Sequence, residues 1–318
     1  MLNIINLLCG IGLFLFGINL MSESVENAFS HKLKDILERL TKSKFSGVMT
    51  GFAVTGTIQS SAATTVMTVS FVNAEIMSLE SAVGVVMGAN IGTTVTSLII
   101  ALNFSAVAPI FIFLGTVIKM FSKNKTRQNI GLLAVGFGML FLGMNTMSES
   151  FAYLKDSPSF LNFVAASESK VGGILTGFVM TAIMQSSSAT VGILQALARQ
   201  NIIPVSQAIY IILGQNIGAV IPTLMSVADK NKAAKSVGII HLLFNIMGTV
   251  IFIVLSAFVP FAKLLSVFPN PDMQVSVMHI GFNVVSTLIL LPFSDKLIRI
   301  SERVVSSQGS GVKALSSK

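Results

Sequence analysis

The sequence predicts an all-α, polytopic helical membrane protein. It is built from two inverted-topology repeats, each with a re-entrant helical hairpin and a broken transmembrane helix. Three observations predict this. The 318-residue chain is 53% hydrophobic and only 11% charged, whereas an ordinary soluble domain is about one quarter charged. Stretches free of Asp, Glu, Lys and Arg recur at 1–22, 45–74, 81–118, 128–148, 171–198, 200–228, 236–262 and 273–294. A spanning helix needs roughly 20 such residues, and a charge within the hydrocarbon costs at least ~2.5 kcal/mol. Finally, the chain repeats itself at an offset of 126 residues.

Gly12–Ser24 (GLFLFGINLMSES) matches Gly138–Ser150 (GMLFLGMNTMSES) at 7 of 13 positions. Gly47–Thr64 matches Gly173–Thr190 at 10 of 18, and Gly88–Gly92 matches Gly214–Gly218 at 4 of 5. Unrelated apolar segments would not keep one register over so long a run. The first repeat is placed at 1–127 and the second at 128–300, with a cytoplasmic tail over 301–318. The last two spans extend the second copy.

Other classes are excluded on composition. The +8 net charge is scattered between apolar segments, so it forms no nucleic-acid surface. One cysteine, Cys9, allows neither an intramolecular disulfide nor a cysteine metal cluster. The start, Met-Leu-Asn-Ile-Ile-Asn, has no basic n-region and reads as a retained first span rather than a signal peptide.

Taken in order, 1–22 is a span. Residues 23–44 place Val25, Phe29, Leu33, Ile36, Leu37 and Leu40 at helical spacing among charges, which reads as a cytoplasmic amphipathic helix on the membrane. Segment 45–74 is a re-entrant hairpin whose half-helices of ~13 residues reach about 20 Å, to the midplane of a ~30 Å core. A broken helix follows over 81–102, interrupted by the polar run at 88–94, and then a span over 104–121. The second copy supplies a span at 128–148, a hairpin at 171–198 and a broken helix at 205–227. Spans at 236–260 and 274–294 complete it. Residues 151–170, the counterpart of 23–44, are less regular and carry Pro158; the Ser-rich tail reads as mobile.

Three crossings in the first copy leave the second upside down. This topology puts 17 of the 21 basic residues on one side and 4 on the other (Lys155, Lys170, Arg199, Lys263). The positive-inside rule makes the rich side cytoplasmic, with the N-terminus outside and the C-terminus inside. Full crossing by both hairpins would give 15 to 6. With no Trp and two Tyr, the aromatic belt is weak.

The hairpin cores, TGTIQSSAATTVMT from Thr55 and TAIMQSSSATVG from Thr181, are too polar for lipid. Polar interruptions at matching places in two halves point to a transport site. At a hairpin tip one half-helix ends, offering carbonyls to a cation. The next begins, offering N–H groups and a positive dipole end to an anion. Serine and threonine hydroxyls serve either. The expected ligand is a small anion moving with a cation. No span contains Asp or Glu, so oxygen donors without a titrating carboxylate suit sodium better than protons. His241 and His279 each open a His-x-x-Phe-Asn motif, with Asn245 and Asn283 on the same helix face. They read either as proton or substrate contacts or as neutral histidines bonded across helices. His31 belongs to the surface helix and is expected to be solvated. A serine hydrolase using Ser60 or Ser187 with His241 or His279 as base fits poorly, because the serines come in runs, in two equivalent copies, without a nucleophile elbow. No catalytic residue is assigned, and the protein is not read as an enzyme.

Gln59-Ser60-Ser61-Ala62-Ala63-Thr64 and Gln185-Ser186-Ser187-Ser188-Ala189-Thr190, with Asn-Ile-Gly at Asn90 and Asn216, resemble the signatures of the type II sodium/phosphate cotransporters. The resemblance covers about residues 10–290, and the doubled signature makes it specific. It implies sodium-driven uptake of inorganic phosphate by alternating access in the cytoplasmic membrane. It also implies a member without the soluble C-terminal domain of some bacterial relatives. Gln59, Ser60, Ser61, Gln185, Ser186 and Ser187 would surround phosphate. Thr64, Asn90, Thr93, Thr96, Ser188, Thr190 and Asn216 would be sodium ligands. Two departures stand out: Ala62 replaces the third serine of the first signature, and Ala219, Val220 and Pro222 stand where the family carries threonines. The ligands are the transported sodium and phosphate, with no further cofactor. The partners are the lipid bilayer and, as an open option, a second copy of the chain. Another small oxyanion, sulfate or a dicarboxylate, is the alternative substrate.

Overall fold

A computed structural model describes residues 2–154, 157, 164–165 and 167–315. Among these the chain is helical and contains no strand. The elements are α1 (Leu2–Leu40), α2 (Lys44–Ile58), α3 (Ser61–Asn73), α4 (Leu79–Ala101), α5 (Ala108–Phe121), α6 (Lys125–Leu154), α7 (Lys170–Met184) and α8 (Ser187–Arg199). They continue as α9 (Val205–Gly218), α10 (Ile221–Ser226), α11 (Lys232–Leu255), α12 (Phe261–Leu265), α13 (Pro271–Leu290) and α14 (Ser294–Leu315). Among the described residues, six segments are long and apolar enough to cross a membrane: Asn3–Phe29, Leu79–Ala101, Lys125–Tyr153, Val205–Ser226, Lys232–Leu255 and Pro271–Ser307. The protein is a multi-pass helical membrane protein. The expected span at 104–121 is a shorter apolar helix, Ser105–Phe121, as is Lys170–Met184.

Glycines set how the helices run. Gly47 and Gly51 of α2 lie against Ser81–Val85 of α4, and Gly88 and Gly92 of α4 lie against Val48, Phe52 and Thr55. Contacts that climb both helices together make α2 and α4 parallel, so α3 must bring the chain back to the level where α2 began. The second copy does the same. Gly173 and Gly177 of α7 meet Tyr210 and Ile211 of α9, and Gly214 and Gly218 meet Ile174, Phe178 and Thr181. A Cβ on Gly88 would collide with the Val48 carbonyl, and one on Gly214 with the Ile174 carbonyl. Without side chains at the crossing, backbones approach as small residues allow in membranes. Each hairpin therefore returns to the end of the helix bundle it started from, and its 15-residue first arm is about 22 Å long.

α1 and α6, which carry the first repeated block, pack antiparallel. Gly10 meets Met147, Gly17 meets Leu140, Gly136 meets Met21 and Gly143 meets Phe14. Exchanging each residue for its counterpart 126 positions away turns the Gly10–Met147 contact into Met21–Gly136, and Gly17–Leu140 into Phe14–Gly143. α5 runs antiparallel to α6 through Gly115 against Gly131 and Gly138 against Ala108. α13 runs antiparallel to α4, with Ser97 beside Ser276 and Leu290 clustered with Met87. Following these directions, Lys44, Lys125 and Lys232 open helices on one face, whereas Lys170 opens α7 and Arg199 closes α8 on the other.

Four expectations need correction. α1 is unbroken to Leu40, so no separate helix covers 23–44. Leu33 and Leu37 pack with Val54, Ile58, Val69 and Val72 of the first hairpin, and of the six apolar residues only Ile36 and Leu40 stay exposed as large hydrophobics. The first broken helix is also continuous: α4 runs through 88–94. Its glycines admit α2, and Asn90 and Thr93 bond back to the Val86 and Ala89 carbonyls. Only the second is interrupted, between Gly218 and Ile221, where Pro222 has no N–H to give the Gly218 carbonyl. The tail is helical to Leu315, because Leu297, Ile298, Ser301 and Val305 form a buried stripe. Finally, Asp272 is buried at the head of α13 and paired with Arg199 of α8 at 2.5 Å. The irregularity expected around Pro158 and the solvation of His31 fall outside the described residues or side chains.

Thermal unfolding in detergent tests the glycine crossings. Gly88→Ala and Gly214→Ala should each destabilise by about 1–3 kcal/mol through overpacking. Gly12→Ala and Gly281→Ala, where a Cβ meets nothing within 4 Å, should be neutral or slightly stabilising.

Candidate functional site

The two tips are built alike. α2 ends at Gln59 in the left-handed region (φ 63°), and α7 ends at Gln185 likewise (φ 52°). A non-glycine there costs on the order of 1 kcal/mol or more and persists only where its surroundings hold it. Ser60 and Ser186 then cap α3 and α8, accepting the Ala63 and Ala189 N–H groups at 3.2 Å. Behind each tip a threonine pair ties the arms: Thr55 donates to Thr64 at 2.9 Å, and the Thr181 and Thr190 hydroxyls lie 2.9 Å apart.

Both tips open on one cavity of about 120 Å³. A single water needs roughly 10–15 Å³ on the same measure, so there is room for a small polyatomic ion. Gln59, Ser60 and Ser61 line it from the first copy and Gln185, Ser186 and Ser187 from the second, with Ala62, Ser188 and Ala219. All six residues expected around the anion are thus brought together. Among the described residues, no charged side chain lines the cavity. The first turns of α3 and α8 leave backbone N–H groups without intrahelical acceptors, and their dipoles favour an anion.

The expected cation ligands separate into four groups. Ser188 lines the cavity. Thr96 lies just behind it, donating to Gln59 Oε1 at 2.6 Å and accepting from Ser188 at 3.4 Å, so α4 joins the two tips. Thr64 and Thr190 lie fully buried behind the tips. Asn90, Thr93 and Asn216 sit lower, bonded to carbonyls of their own helices at 2.8–3.1 Å. His241 and His279 are buried and do not line the cavity. His241 Nδ1 lies 3.0 Å from the Thr223 hydroxyl.

Asn19 and Ser22 of α1 also line the cavity and were missed from the sequence. The signal was present, because both fall at identities of the first repeated block, matching Asn145 and Ser148. The departures also gain a structural meaning. Gln59 is held by Thr96, but the counterpart of Thr96 is Pro222, and Gln185 is exposed with only Met225 Sδ at 3.8 Å. The counterpart of Ser188 is Ala62, so both members of the Thr96–Ser188 pair are lost together on the mirrored side.

A family model described as Na+/Pi-cotransporter matches residues 13–149 and 159–288. The chain belongs to this family. Its relatives include the uncharacterized protein YqeW of Bacillus subtilis (strain 168), 28% identical over 90% of this chain and 93% of YqeW. The Putative inorganic phosphate export protein YjbB of Escherichia coli (strain K12) is 26% identical over 96% of this chain, which spans 56% of that protein. Sodium-dependent phosphate transport protein 2A of Rattus norvegicus is 33% identical over a stretch covering 28% of this chain and 14% of that protein. No solved structure matches the chain.

The tether between the tips can be tested on stability alone. Thr96→Val leaves the buried Gln59 carbonyl without its donor and should cost about 1–3 kcal/mol in thermal unfolding. Thr93→Val, which loses a bond to its own helix only, should cost less than about 1 kcal/mol.

Proposed function

We propose that the protein is a secondary active transporter of the cytoplasmic membrane that couples sodium entry to uptake of inorganic phosphate by alternating access. The observation that carries this reading is one cavity shared by two equivalent hairpin tips and lined, among the described residues, by no charged side chain. Phosphate bound there would receive backbone N–H groups at the starts of α3 and α8, serine hydroxyls, and the side-chain amide of Gln185. Gln59 is committed to Thr96 and the Gly56 carbonyl, so it shapes the first tip while Gln185 adapts to the ligand. With no cationic side chain, the charge of phosphate is left to helix dipoles and to co-transported cations. Sodium would bind to the hydroxyl and amide oxygens around the tips, with Ser188 and Thr96 nearest, and Thr64, Thr190, Asn90, Thr93 and Asn216 behind.

The copies act as inverted repeats in this reading, supported by the interchangeable contacts between α1 and α6. Exchanging the conformations of the two halves then moves access from one membrane face to the other. The lysine-rich face is cytoplasmic by the positive-inside rule. The name of YjbB points to export, and a coupled symporter runs in whichever direction the combined gradients drive it. Uptake follows from a large inward sodium gradient. The serines act as ligands rather than nucleophiles, so no enzymatic step is assigned.

Radiolabelled phosphate uptake into proteoliposomes tests the reading. An inward sodium gradient should drive accumulation above equilibrium, a choline gradient should not, and sulfate and succinate should compete weakly. Ser187→Ala, Gln185→Ala and Gln185→Gly should each lower uptake by about tenfold or more. Glycine relieves the left-handed strain, so its effect reports the lost amide and not a misfolded tip. Uptake indifferent to sodium, or normal in all three variants, would refute the assignment.

A further inference from the structure

α11 and α13 carry a second internal likeness, shorter and hidden from the 126-residue offset. His241-Leu-Leu-Phe-Asn-Ile-Met-Gly-Thr249 and His279-Ile-Gly-Phe-Asn-Val-Val-Ser-Thr287 share His, Phe, Asn and Thr in one register. The two helices cross antiparallel at Gly248, where an added Cβ would lie 2.7 Å from Ser286 Oγ. The Phe252 and Phe282 rings pack 5.2 Å apart one turn away.

Each Asn spends its donor side in the same way. Asn245 Nδ2 donates to the His241 carbonyl at 3.0 Å, and Asn283 Nδ2 to the His279 carbonyl at 2.9 Å. Both Oδ1 atoms are left buried without a partner. On α11 the following threonine is engaged, with Thr249 donating to the Leu213 carbonyl at 3.4 Å. On α13 the Thr287 hydroxyl is also buried and unpartnered. Asn283 and Thr287 stand four residues apart, on one helix face. That face looks at α4: the Ser97 and Ser276 hydroxyls are 2.8 Å apart, Asn283 lies seven residues after Ser276, and Asn90 lies seven before Ser97. Two turns along antiparallel helices bring Asn283 opposite Asn90.

Asn283 Oδ1 offers lone pairs only, which an anion cannot use and a cation can, and the Thr287 hydroxyl can turn its own lone pairs to the same ion. Uncharged oxygens with no carboxylate suit a monovalent ion rather than calcium or magnesium. Leaving such atoms bare inside a bilayer is costly. We propose that the seam between α13 and α4 holds a sodium ion on Asn283 Oδ1 and Thr287 Oγ1, outside the cavity between the tips. The mirrored seam on α11 does not, because Thr249 is already bonded. The place of this ion in transport rests on the sodium coupling proposed above; its binding does not.

Equilibrium binding of radiolabelled sodium to the purified full chain, in choline chloride without phosphate, tests the site. Wild type should bind saturably. Asn283→Leu and Thr287→Val should each bind one sodium fewer per chain, Asn245→Leu should keep wild-type capacity, and Asn283→Asp should bind about tenfold more tightly. Thr287→Val keeps side-chain volume and Asn283→Asp keeps shape, so these two decide the matter if Asn283→Leu does not fold. No sodium on wild type, or wild-type capacity in Asn283→Leu and Thr287→Val, would overturn the proposal and leave the atoms to a buried water. Loss of capacity in the variants without phosphate uptake by wild type would refute the phosphate reading and leave the sodium site standing.

Discussion

The close parallel packing of each hairpin arm on its neighbouring long helix is the constraint on which the rest depends. Gly51 and Gly88 do this for α2 and α4, and Gly177 and Gly214 for α7 and α9. Because the backbones touch, the arms cannot slide, and each glutamine at the end of an arm is delivered to a fixed height. That height lets two polar turns, Gln59–Ser60 and Gln185–Ser186, meet inside an apolar body. The unsatisfied N–H groups of two helix starts would be costly against lipid. Against each other, they border a small polar cavity instead.

The two halves share this scaffold but not its side-chain locks. Thr96 connects Gln59 to Ser188 and so couples the first tip to the second hairpin. The mirrored lock needs hydroxyls at 62 and 222, where the chain has Ala62 and Pro222. The same proline interrupts the helix and leaves Gln185 exposed. One substitution pattern thus ties the first glutamine to α4 by a hydrogen bond and leaves the second without that bond. At the far end of α8 the asymmetry reverses. Arg199 and Gln195 bind α13 through Asp272 and Ser276, while the matching end of α3 meets the head of α11 through the Asn73–Asn231 hydrogen bonds and an apolar cluster that takes in Val69, Val72, Ala234 and Val237. The element with the freer tip is the one anchored by an ion pair.

Much of this was legible in the sequence for a simple reason. A gapless repeat reports shared three-dimensional roles, and polar residues within apolar stretches report a site. Hence the tips, the six residues that line the cavity between them and the helical class could be read directly. The errors come from features that composition cannot separate. Glycines around Asn90 read as a break, yet a glycine in a membrane helix serves close packing equally well, and only the proline in the second copy interrupts. The apolar stripe of 23–40 announces burial but not against what, and the first hairpin covers most of it. Asn19 and Ser22 were overlooked because two isolated polar residues on a span look like tolerated exceptions, although their repetition at 145 and 148 marked them.

The central claim is that the two Gln-Ser-Ser turns form one anion site and not two. Equilibrium binding of radiolabelled phosphate to the purified protein in sodium tests it most directly. The account predicts one phosphate per chain, with Ser61→Ala in the first turn and Ser187→Ala in the second each weakening that same binding event. Two phosphates per chain, each sensitive to only one of the turns, would contradict it.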